Sequence, residues 1–277
     1  MEVNVNIPGI DHVKFDVELN GHGRAFFVLG IRKSGSTLLN RICATLARFN
    51  SVNFVDIAGT FFQNNIPVSD WINEPAVRKA LRPGNAYGGF RNLPLCFMGT
   101  GVFGNARKVL LVRDPRDALV SEFFSNAYSH SIPASQNIAE GVSGNILLER
   151  KKALESSIQE YVLARAPLMK RTFMEYEPIT QDPQALILKY EDVVFRKREM
   201  IDSILAHFRW ASGHHAITKL LDKVDIRPTE ENPTAFIRKV TPGDHREKLS
   251  HEAIARLDIE LREPLGLFGY PIGDTRI

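Results

Sequence analysis

The 277-residue chain has the length and composition of an ordinary globular protein. Hydrophobic residues make up 44% of it and charged residues 24%, a balance that excludes a disordered chain. The formal net charge of +3 is small, so the bulk charge gives no reason to expect a nucleic-acid partner.

The cysteine count and the hydropathy pattern indicate in which cellular compartment the protein is expected. The two cysteines, Cys43 and Cys96, suit reduced core thiols and do not indicate a disulfide framework. Residues 1–6 lack the basic-then-apolar pattern of a signal peptide, and no run approaches the roughly eighteen apolar residues of a membrane span. We therefore expect one domain spanning residues 1–277, located in the cytoplasm and without a membrane partner.

The first predicted core element is a strand, loop and helix suited to a phosphate group. Residues 1–24 are predicted to form at most a short edge strand. The apolar run 25–29 indicates a buried strand, and apolar residues at three- and four-residue steps from Leu38 to Phe49 indicate an amphipathic helix. The loop 30–37 therefore lies at a helix N-terminus, where unpaired N–H groups and the helix dipole favour an anion.

The spacing of this loop approaches the nucleotide-binding pattern G-x-x-x-x-G-K-[ST], with one displaced residue. Ser36 occupies the lysine position, and Lys33 lies inside the loop, two residues before Gly35. Its ammonium is therefore expected to reach a bound group from a different side than the lysine of a nucleoside triphosphatase does.

The segment after the first helix supplies a candidate carboxylate and an aromatic-rich connection. Residues 52–57 are predicted as a second strand, with Asp56 near its end, where the ligand crevice of an open α/β sheet lies. Residues 59–104 are rich in proline and glycine, are predicted as loop apart from a turn or two of helix at 75–81, and are expected to form part of an acceptor pocket. The aromatic residues of this segment are Phe61, Phe62, Trp71, Tyr87 and Phe90.

A further strand and helix are predicted from residue 108. The run 108–112 indicates a buried strand, and Asp114 and Pro115 are typical of the helix start that follows. The strand ends in Arg113, where a magnesium-dependent phosphotransferase usually places an aspartate to hold its metal. Because arginine offers a fixed fork for phosphate and no metal ligand, we expect recognition of a terminal phosphate without a metal.

The remaining elements complete an α/β fold. Residues 145–174 are predicted as a long helix that Pro167 kinks or divides, and residues 185–190 as a third buried strand. Helices are predicted at 200–210, 214–224 and 251–261. The expected fold is a three-layer sandwich with a central, mostly parallel sheet and a P-loop-type phosphate-binding loop.

The loop carries a family resemblance. Residues 32–38 resemble the 5′-phosphosulfate-binding loop, P-K-S-G-T-T-W, of the sulfotransferases that use 3′-phosphoadenosine 5′-phosphosulfate (PAPS). Three family residues are replaced here, and the loss of the tryptophan at Leu38 removes an aromatic face that lies near the adenine in cytosolic relatives. The resemblance implies that the nucleotide is bound by Arg32, Lys33, Ser34, Gly35, Ser36, Thr37 and Leu38.

Two later segments resemble the parts of the same family that bind the 3′-phosphate. Residues 112–121 resemble the motif R-[DN]-P-[KR]-D followed by V-S, which implies that Arg113 and Ser121 grip the 3′-phosphate. Residues 236–246 resemble the signature R-K-G-x-x-G-D-W-K. That resemblance implies that Arg238 and Lys239 close over the 3′-phosphate while Phe236 lies against the adenine.

Tyr190, at the end of the predicted strand 185–190, has two possible roles. The segment ending in Tyr190 resembles the family segment L-x-Y-E-D-L, whose tyrosine approaches the adenosine. A structural role for Tyr190, as an aromatic residue at the end of a core strand, is equally consistent with the sequence.

The resemblance implies a sulfotransferase domain that moves a sulfuryl group from PAPS to a hydroxyl or amine of a small-molecule or saccharide acceptor. Lys33, the loop N–H groups and the hydroxyls of Ser36 and Thr37 would stabilise the transferring group. The general base is open, because Asn92 stands where cytosolic relatives have the histidine of T-H-L-P. Other branches use a carboxylate after the first helix, which favours Asp56; weaker candidates are His130 and His22.

Two other function classes remain open at this stage. Asn92 makes a catalytically silent PAPS- or PAP-binding protein credible, PAP being the desulfated nucleotide. A P-loop kinase-like phosphotransferase is disfavoured by the displaced lysine and by the absent metal aspartate. The sequence names neither the acceptor nor the oligomeric state.

Overall fold

The computed structural model describes residues 1–133 and 140–273. Within them, five strands form a sheet in the order β4-β5-β3-β6-β7, and all four pairings are parallel. The strands are β3 (Phe26–Gly30), β4 (Phe54–Asp56), β5 (Ala86–Phe90), β6 (Arg107–Val112) and β7 (Ala185–Lys189). The expected parallel sheet is confirmed.

Helices cover both faces of the sheet, because successive strand residues point to opposite sides. Val28, Val109 and Leu111 face a core shared with α1 (Ser36–Phe49), α10 (Lys197–Phe208) and α11 (His214–Val224). Phe27 and Leu110 face the other core, shared with α5 (Pro115–Phe124), α7 (Ile158–Met174) and α13 (His251–Glu260). This arrangement is the expected three-layer α/β sandwich.

The other helices are short or lie at the periphery. They are α2 (Ile57–Gln63), α3 (Val68–Trp71), α4 (Gly101–Gly104), α6 (Gly141–Glu155), α8 (Glu177–Thr180), α9 (Tyr190–Val193), α12 (His245–Lys248) and α14 (Arg262–Leu267). No helix in the described ranges has both the length and the apolarity that a membrane span needs. Cys43 and Cys96 are both buried and free.

The first residues of the chain form a β-hairpin, where the sequence predicted at most an edge strand. The strands β1 (Glu2–Ile7) and β2 (Ile10–Asp16) pair antiparallel and remain separate from the main sheet. Val5, Val13 and Phe15 are buried, and the Phe15 ring meets the Phe61 ring edge-on at 5.4 Å. The alternating apolar residues thus cover the aromatic segment that follows β4.

The segment 59–104 contains a central strand, so the prediction of a loop there was wrong, although the helical turn predicted at 75–81 is present as a 3-10 helix, Pro75–Ala80. Strand β5 lies between β4 and β3, although Gly88 and Gly89 leave almost no alternating pattern. The aromatic residues expected in an acceptor pocket fill the core instead: Phe61, Trp71, Tyr87 and Phe90 are all buried. Their rings stack on one another or on Phe27.

The long helix predicted at 145–174 is two helices. The division falls at residues 156–157 and not at Pro167, which lies inside α7. Ser157 caps α7 in a capping box with Glu160, whose carboxylate accepts the Ser157 N–H at 2.8 Å. This cap satisfies the first N–H groups of α7 and so favours a new helix start over a continuous helix.

A buried ion cluster fastens the start of α5 to α13. Arg116 is almost completely buried, and its Nη1 lies 2.7 Å from the Asp258 carboxylate. Its Nε and Nη2 donate to both oxygens of Asp114, at 3.0 and 2.7 Å. The helix that follows Arg113 is thereby anchored to the C-terminal part of the chain.

Replacing Arg116 by alanine should lower the free energy of unfolding by about 3–5 kcal/mol, because two buried carboxylates lose their partner. Urea denaturation at neutral pH measures the change. The loss should shrink as the pH falls, since unpaired buried carboxylates bind protons more readily in the folded than in the unfolded state. Arg198→Ala, which breaks the half-exposed pair with Asp202, is the control and should cost less than about 0.5 kcal/mol. Equal losses in both variants would contradict this assignment.

Candidate functional site

The candidate site lies at the carboxyl edge of the parallel sheet. β3 leads directly into the loop 30–36, and β4 ends in Asp56. β5 and β6 are followed by Arg91 and Arg113, and β7 by Tyr190. Because parallel strands end at the same edge, residues far apart in the chain meet there.

The loop 30–36 is hydrogen-bonded to the carboxyl ends of the two strands beside β3, which are β5 and β6. The Ile31 N–H donates to the Leu111 carbonyl and the Arg32 N–H to the Arg91 carbonyl, each at 3.2 Å. Lys33 and Gly35 adopt left-handed conformations, with φ of 65° and 86°. No side chain of the described residues caps α1, so the N–H groups of its first turn are free to bind an anion.

Lys33 lies among other cations. Desolvation, together with the charges of Arg32, Arg91 and Arg113, lowers the pKa of the Lys33 ammonium to about 7, while Glu122 opposes the shift. Lys33 is therefore partly neutral at physiological pH in the absence of an anion. A bound dianion would restore its charge, because an opposite charge favours the protonated amine.

Glu122 is a carboxylate of the site that the sequence reasoning missed. It is buried on α5, and its Oε1 lies 3.2 Å from Arg32 Nε and 2.8 Å from Arg165 Nη2. Burial raises the pKa of Glu122, but the two arginines outweigh burial and the pKa is lowered overall. Arg32 is therefore already paired with a carboxylate. The charge of Lys33 adds to those that lower the pKa of Glu122.

Arg113 has spare hydrogen-bonding capacity. It is buried, its guanidinium lies 4.6 Å from the centre of the Tyr190 ring, and its Nη2 is 3.6 Å from Asp117 Oδ2 and 3.5 Å from the Thr241 carbonyl. Its Nε has no hydrogen-bond partner among the described residues. Ser121 lies on α5, the helix that follows Arg113, and is partly exposed.

Tyr190 joins the two predicted phosphate-binding segments. A Cβ on Gly35 would lie 3.1 Å from Tyr190 Cδ2, so the ring packs against the loop, and the Arg113 guanidinium lies over the same ring. Tyr190 is buried directly after β7. Its side chain therefore contacts both the loop and Arg113.

The third predicted segment carries cations that are paired with carboxylates. Arg238 forms ion pairs with Glu231 and Asp244, and its guanidinium stacks 4.1 Å from the Phe124 ring centre. Lys239 Nζ lies 3.3 Å from Asp244 and 2.6 Å from Glu247. Phe236, predicted to lie against an adenine, is 74% exposed.

Asp56 and Arg91 lie on the opposite side of the loop from Arg113. Asp56 Oδ1 accepts the Gly59 N–H at 2.9 Å and caps α2, and Oδ2 accepts from Asn40 at 3.3 Å. Arg91, which sequence reasoning missed because β5 was not predicted, donates to Thr37 Oγ1 at 3.4 Å. It immediately precedes Asn92, so the T-H-L-P resemblance was the signal that could have found it.

The two histidine candidates for the base differ in position. Burial and the charges of Arg32 and Lys33 lower the pKa of His130 to about 4, so it is near the loop and neutral. His130 follows a π-helical turn, Ser125–Ser129, and its Nδ1 lies 3.3 Å from Asn126 Oδ1. His22 precedes the amino end of β3, whereas the loop follows the carboxyl end; this placement excludes His22 as the base.

The chemistry available at this edge is anion binding by N–H groups, one lysine and buried arginines. In the described parts of the chain, no three His, Cys, Asp or Glu side chains are grouped to hold a metal ion. Among those residues, the buried donors at this edge without a hydrogen-bond partner include Arg32 Nε and Ser34 Oγ in the loop and Arg113 Nε directly after β6. They lie at two places, the loop and the residue after β6, which suits a ligand with two anionic groups.

Two solved structures share the fold of this chain. A crystal structure of mouse sulfotransferase SULT7A1 complexed with PAP superimposes with a TM-score of 0.58 at 12% identity, covering 91% of each chain. Retinol dehydratase in complex with androsterone and inactive cofactor PAP gives a TM-score of 0.50 at 16% identity, covering 93% of this chain and 84% of that chain. These likenesses show the fold.

A search of curated protein sequences finds no significant match. The sulfotransferase domain model, by contrast, matches residues 24–269, which include the loop, the β6 edge and the C-terminal cationic segment. The chain therefore belongs to the sulfotransferase domain family.

Proposed function

We propose that this protein transfers the sulfuryl group of PAPS to a hydroxyl or amine of a small-molecule or saccharide acceptor. The observation that carries the proposal is that the loop of Lys33 and the Arg113 guanidinium both pack against Tyr190, and that Ser34 Oγ and Arg113 Nε are buried without a partner among the described residues. Family membership supports the reaction class. The two solved structures described above contain PAP, and one also contains androsterone, which supports the nucleotide and a small acceptor.

The residues at the sheet edge offer binding groups for both phosphate ends of PAPS. The α1 N-terminus, Lys33 and Ser34 would bind the 5′-phosphosulfate, and Ser36 and Thr37 would add hydroxyl donors. Arg113 and Ser121 would bind the 3′-phosphate. Phe236 is exposed and available to cover the adenine, whereas Arg238 and Lys239 must exchange carboxylate partners for phosphate.

The reaction requires the acceptor oxygen or nitrogen to bond to sulfur while the bond from sulfur to the bridging phosphate oxygen breaks. Lys33 and the loop N–H groups stabilise the charge that collects on the departing phosphate. Asp56 takes the acceptor proton in this proposal, and its hydrogen bonds with Gly59 and Asn40 hold the carboxylate at the sheet edge. A phosphotransferase would instead require a metal-binding carboxylate where Arg113 lies.

Lys33→Ala should lower the rate of transfer by at least about a hundredfold, because the principal charge stabiliser is removed. A panel of phenol, steroid and sugar acceptors with labelled PAPS measures transfer, and thermal unfolding confirms that the variant folds. Lys151→Ala, on the exposed side of α6, is the matched control and should keep full activity. Full transfer in the Lys33 variant would refute the role of Lys33, whereas the absence of transfer by the wild type to any acceptor would count against the proposed function.

PAP binding should take up about one proton per site at pH 8, because Lys33 is mostly neutral there and gains a proton when it meets a phosphate dianion. Affinity should fall as the pH rises from 7 to 9, a range in which the phosphates, with a second pKa near 6, are already ionised. Calorimetry in two buffers of different ionisation enthalpy counts the protons. Uptake that persists unchanged in Lys33→Met would contradict the role of Lys33.

Asp56→Asn should abolish transfer and leave PAP affinity within about twofold of wild type, since the amide keeps the side-chain shape but cannot accept the acceptor proton. Activity and calorimetric titrations are measured on the same preparation. Full activity in this variant would show that Asp56 is not the base, and His130→Gln would then be the next variant to assay. PAP binding without transfer to any acceptor in wild type would indicate a silent nucleotide-binding protein.

A further inference from the structure

A buried carboxylate connects two of the three cationic segments. Asp117 lies in the first turn of α5, four residues after Arg113, and is 0% exposed. Its Oδ2 accepts the Gly243 N–H at 2.7 Å, and its Oδ1 accepts the His245 N–H at 2.9 Å. The imidazole Nδ1 of His245 lies 2.6 Å from the same Oδ1. Three hydrogen bonds therefore hold the 243–245 turn on the helix that follows Arg113.

The same carboxylate faces the Arg113 guanidinium without binding it closely. Asp117 Oδ2 is 3.6 Å from Arg113 Nη2, which is beyond hydrogen-bond range, whereas its three bonds to the turn are 2.6–2.9 Å long. Short charge-assisted bonds are the stronger ones, so the turn takes up most of the hydrogen-bonding capacity of the carboxylate. Asp117 thus orients Arg113 by charge and leaves its donors available.

The ionisation of Asp117 fits this arrangement. Burial raises its pKa, but the hydrogen bond from His245 and the charge of Arg113 dominate and hold the pKa well below the usual range of a carboxyl. Asp117 is therefore an anion throughout the neutral range. His245 is itself buried, and it stands where the family signature has a tryptophan, so its imidazole bond to Asp117 is a feature of this chain.

We propose that Asp117 and His245 are positioning residues for recognition of the nucleotide 3′-phosphate. They hold Arg113 and the segment 238–246 in one arrangement, so that cations from two distant parts of the chain can meet the same phosphate. This inference rests on the proposed function and deepens it. It predicts an effect on nucleotides that carry a 3′-phosphate and none on nucleotides that lack one.

The test compares PAP with adenosine 5′-phosphate, which shares every group except the 3′-phosphate. Asp117→Asn should weaken PAP binding by about tenfold or more, because the charge and part of the hydrogen-bonding capacity are lost. Affinity for adenosine 5′-phosphate should change by less than about twofold, since the loop around Lys33 is untouched. Calorimetry on the full chain measures both constants, and the readout is their ratio.

A pair of variants at His245 provides a second, milder test. The side-chain nitrogen of asparagine occupies the position of imidazole Nδ1, so His245→Asn keeps the donor to Asp117, whereas His245→Ala removes it. The alanine variant should lose PAP affinity selectively, and the asparagine variant should recover most of it. Asp202→Asn, which removes an exposed carboxylate on α10, is the charge-matched control and should leave both affinities unchanged.

The outcomes separate this inference from the proposed function. Wild-type protein that does not prefer PAP over adenosine 5′-phosphate would refute the proposed function and this inference together. Wild type that prefers PAP, with an Asp117→Asn variant that loses both nucleotides equally or neither, would overturn the inference alone. If Asp117→Asn does not unfold cooperatively, equal PAP affinities of His245→Ala and His245→Asn would overturn it.

Discussion

The candidate site depends on one electrostatic constraint: several cationic side chains lie close together at the carboxyl edge of an apolar sheet. The sheet is buried on both faces, so its carboxyl edge is where polar groups from separate strands meet. Burial, together with the charges of Arg32, Arg91 and Arg113, lowers the pKa of the Lys33 ammonium there to about 7. A bound anion opposes this shift, because an opposite charge favours the protonated amine.

The cations of the site differ in whether a carboxylate of the protein already pairs closely with them. Glu122 pairs with Arg32 and Arg165 at 3.2 and 2.8 Å, so both arginines already have a carboxylate partner within the protein. Asp117 directs its short bonds to a backbone turn and a histidine, which leaves Arg113 available. Arg238 and Lys239 are already paired too, because they form ion pairs with Glu231, Asp244 and Glu247. Binding a phosphate at that segment thus requires an exchange of ion-pair partners.

Membership of the sulfotransferase domain family gives this electrostatic pattern a chemical interpretation. Sulfuryl transfer needs cations at the reacting group and at the far end of the nucleotide, and the candidate site offers Lys33 and Arg113 at places joined by the Tyr190 ring. By its resemblance to the T-H-L-P segment of cytosolic relatives, the chain has Asn92 at the position of their histidine base. The proposed function therefore assigns the base to Asp56 at the end of β4, with His130 after the π-helical turn as the next candidate.

The sequence by itself determined the local elements that carry the site. Apolar runs and helical periodicity identified β3, α1 and β6, and the residues that follow each strand placed Lys33 and Arg113 at one edge, because those signals depend on near neighbours in the chain. Only the tertiary structure decided the rest. Gly88 and Gly89 carry no side chains to reveal the alternation of β5, and the bonds from Asp117 to Gly243 and His245 span 126 and 128 residues. Contacts between residues so far apart leave no periodic trace in the sequence, since they depend on how the finished layers pack.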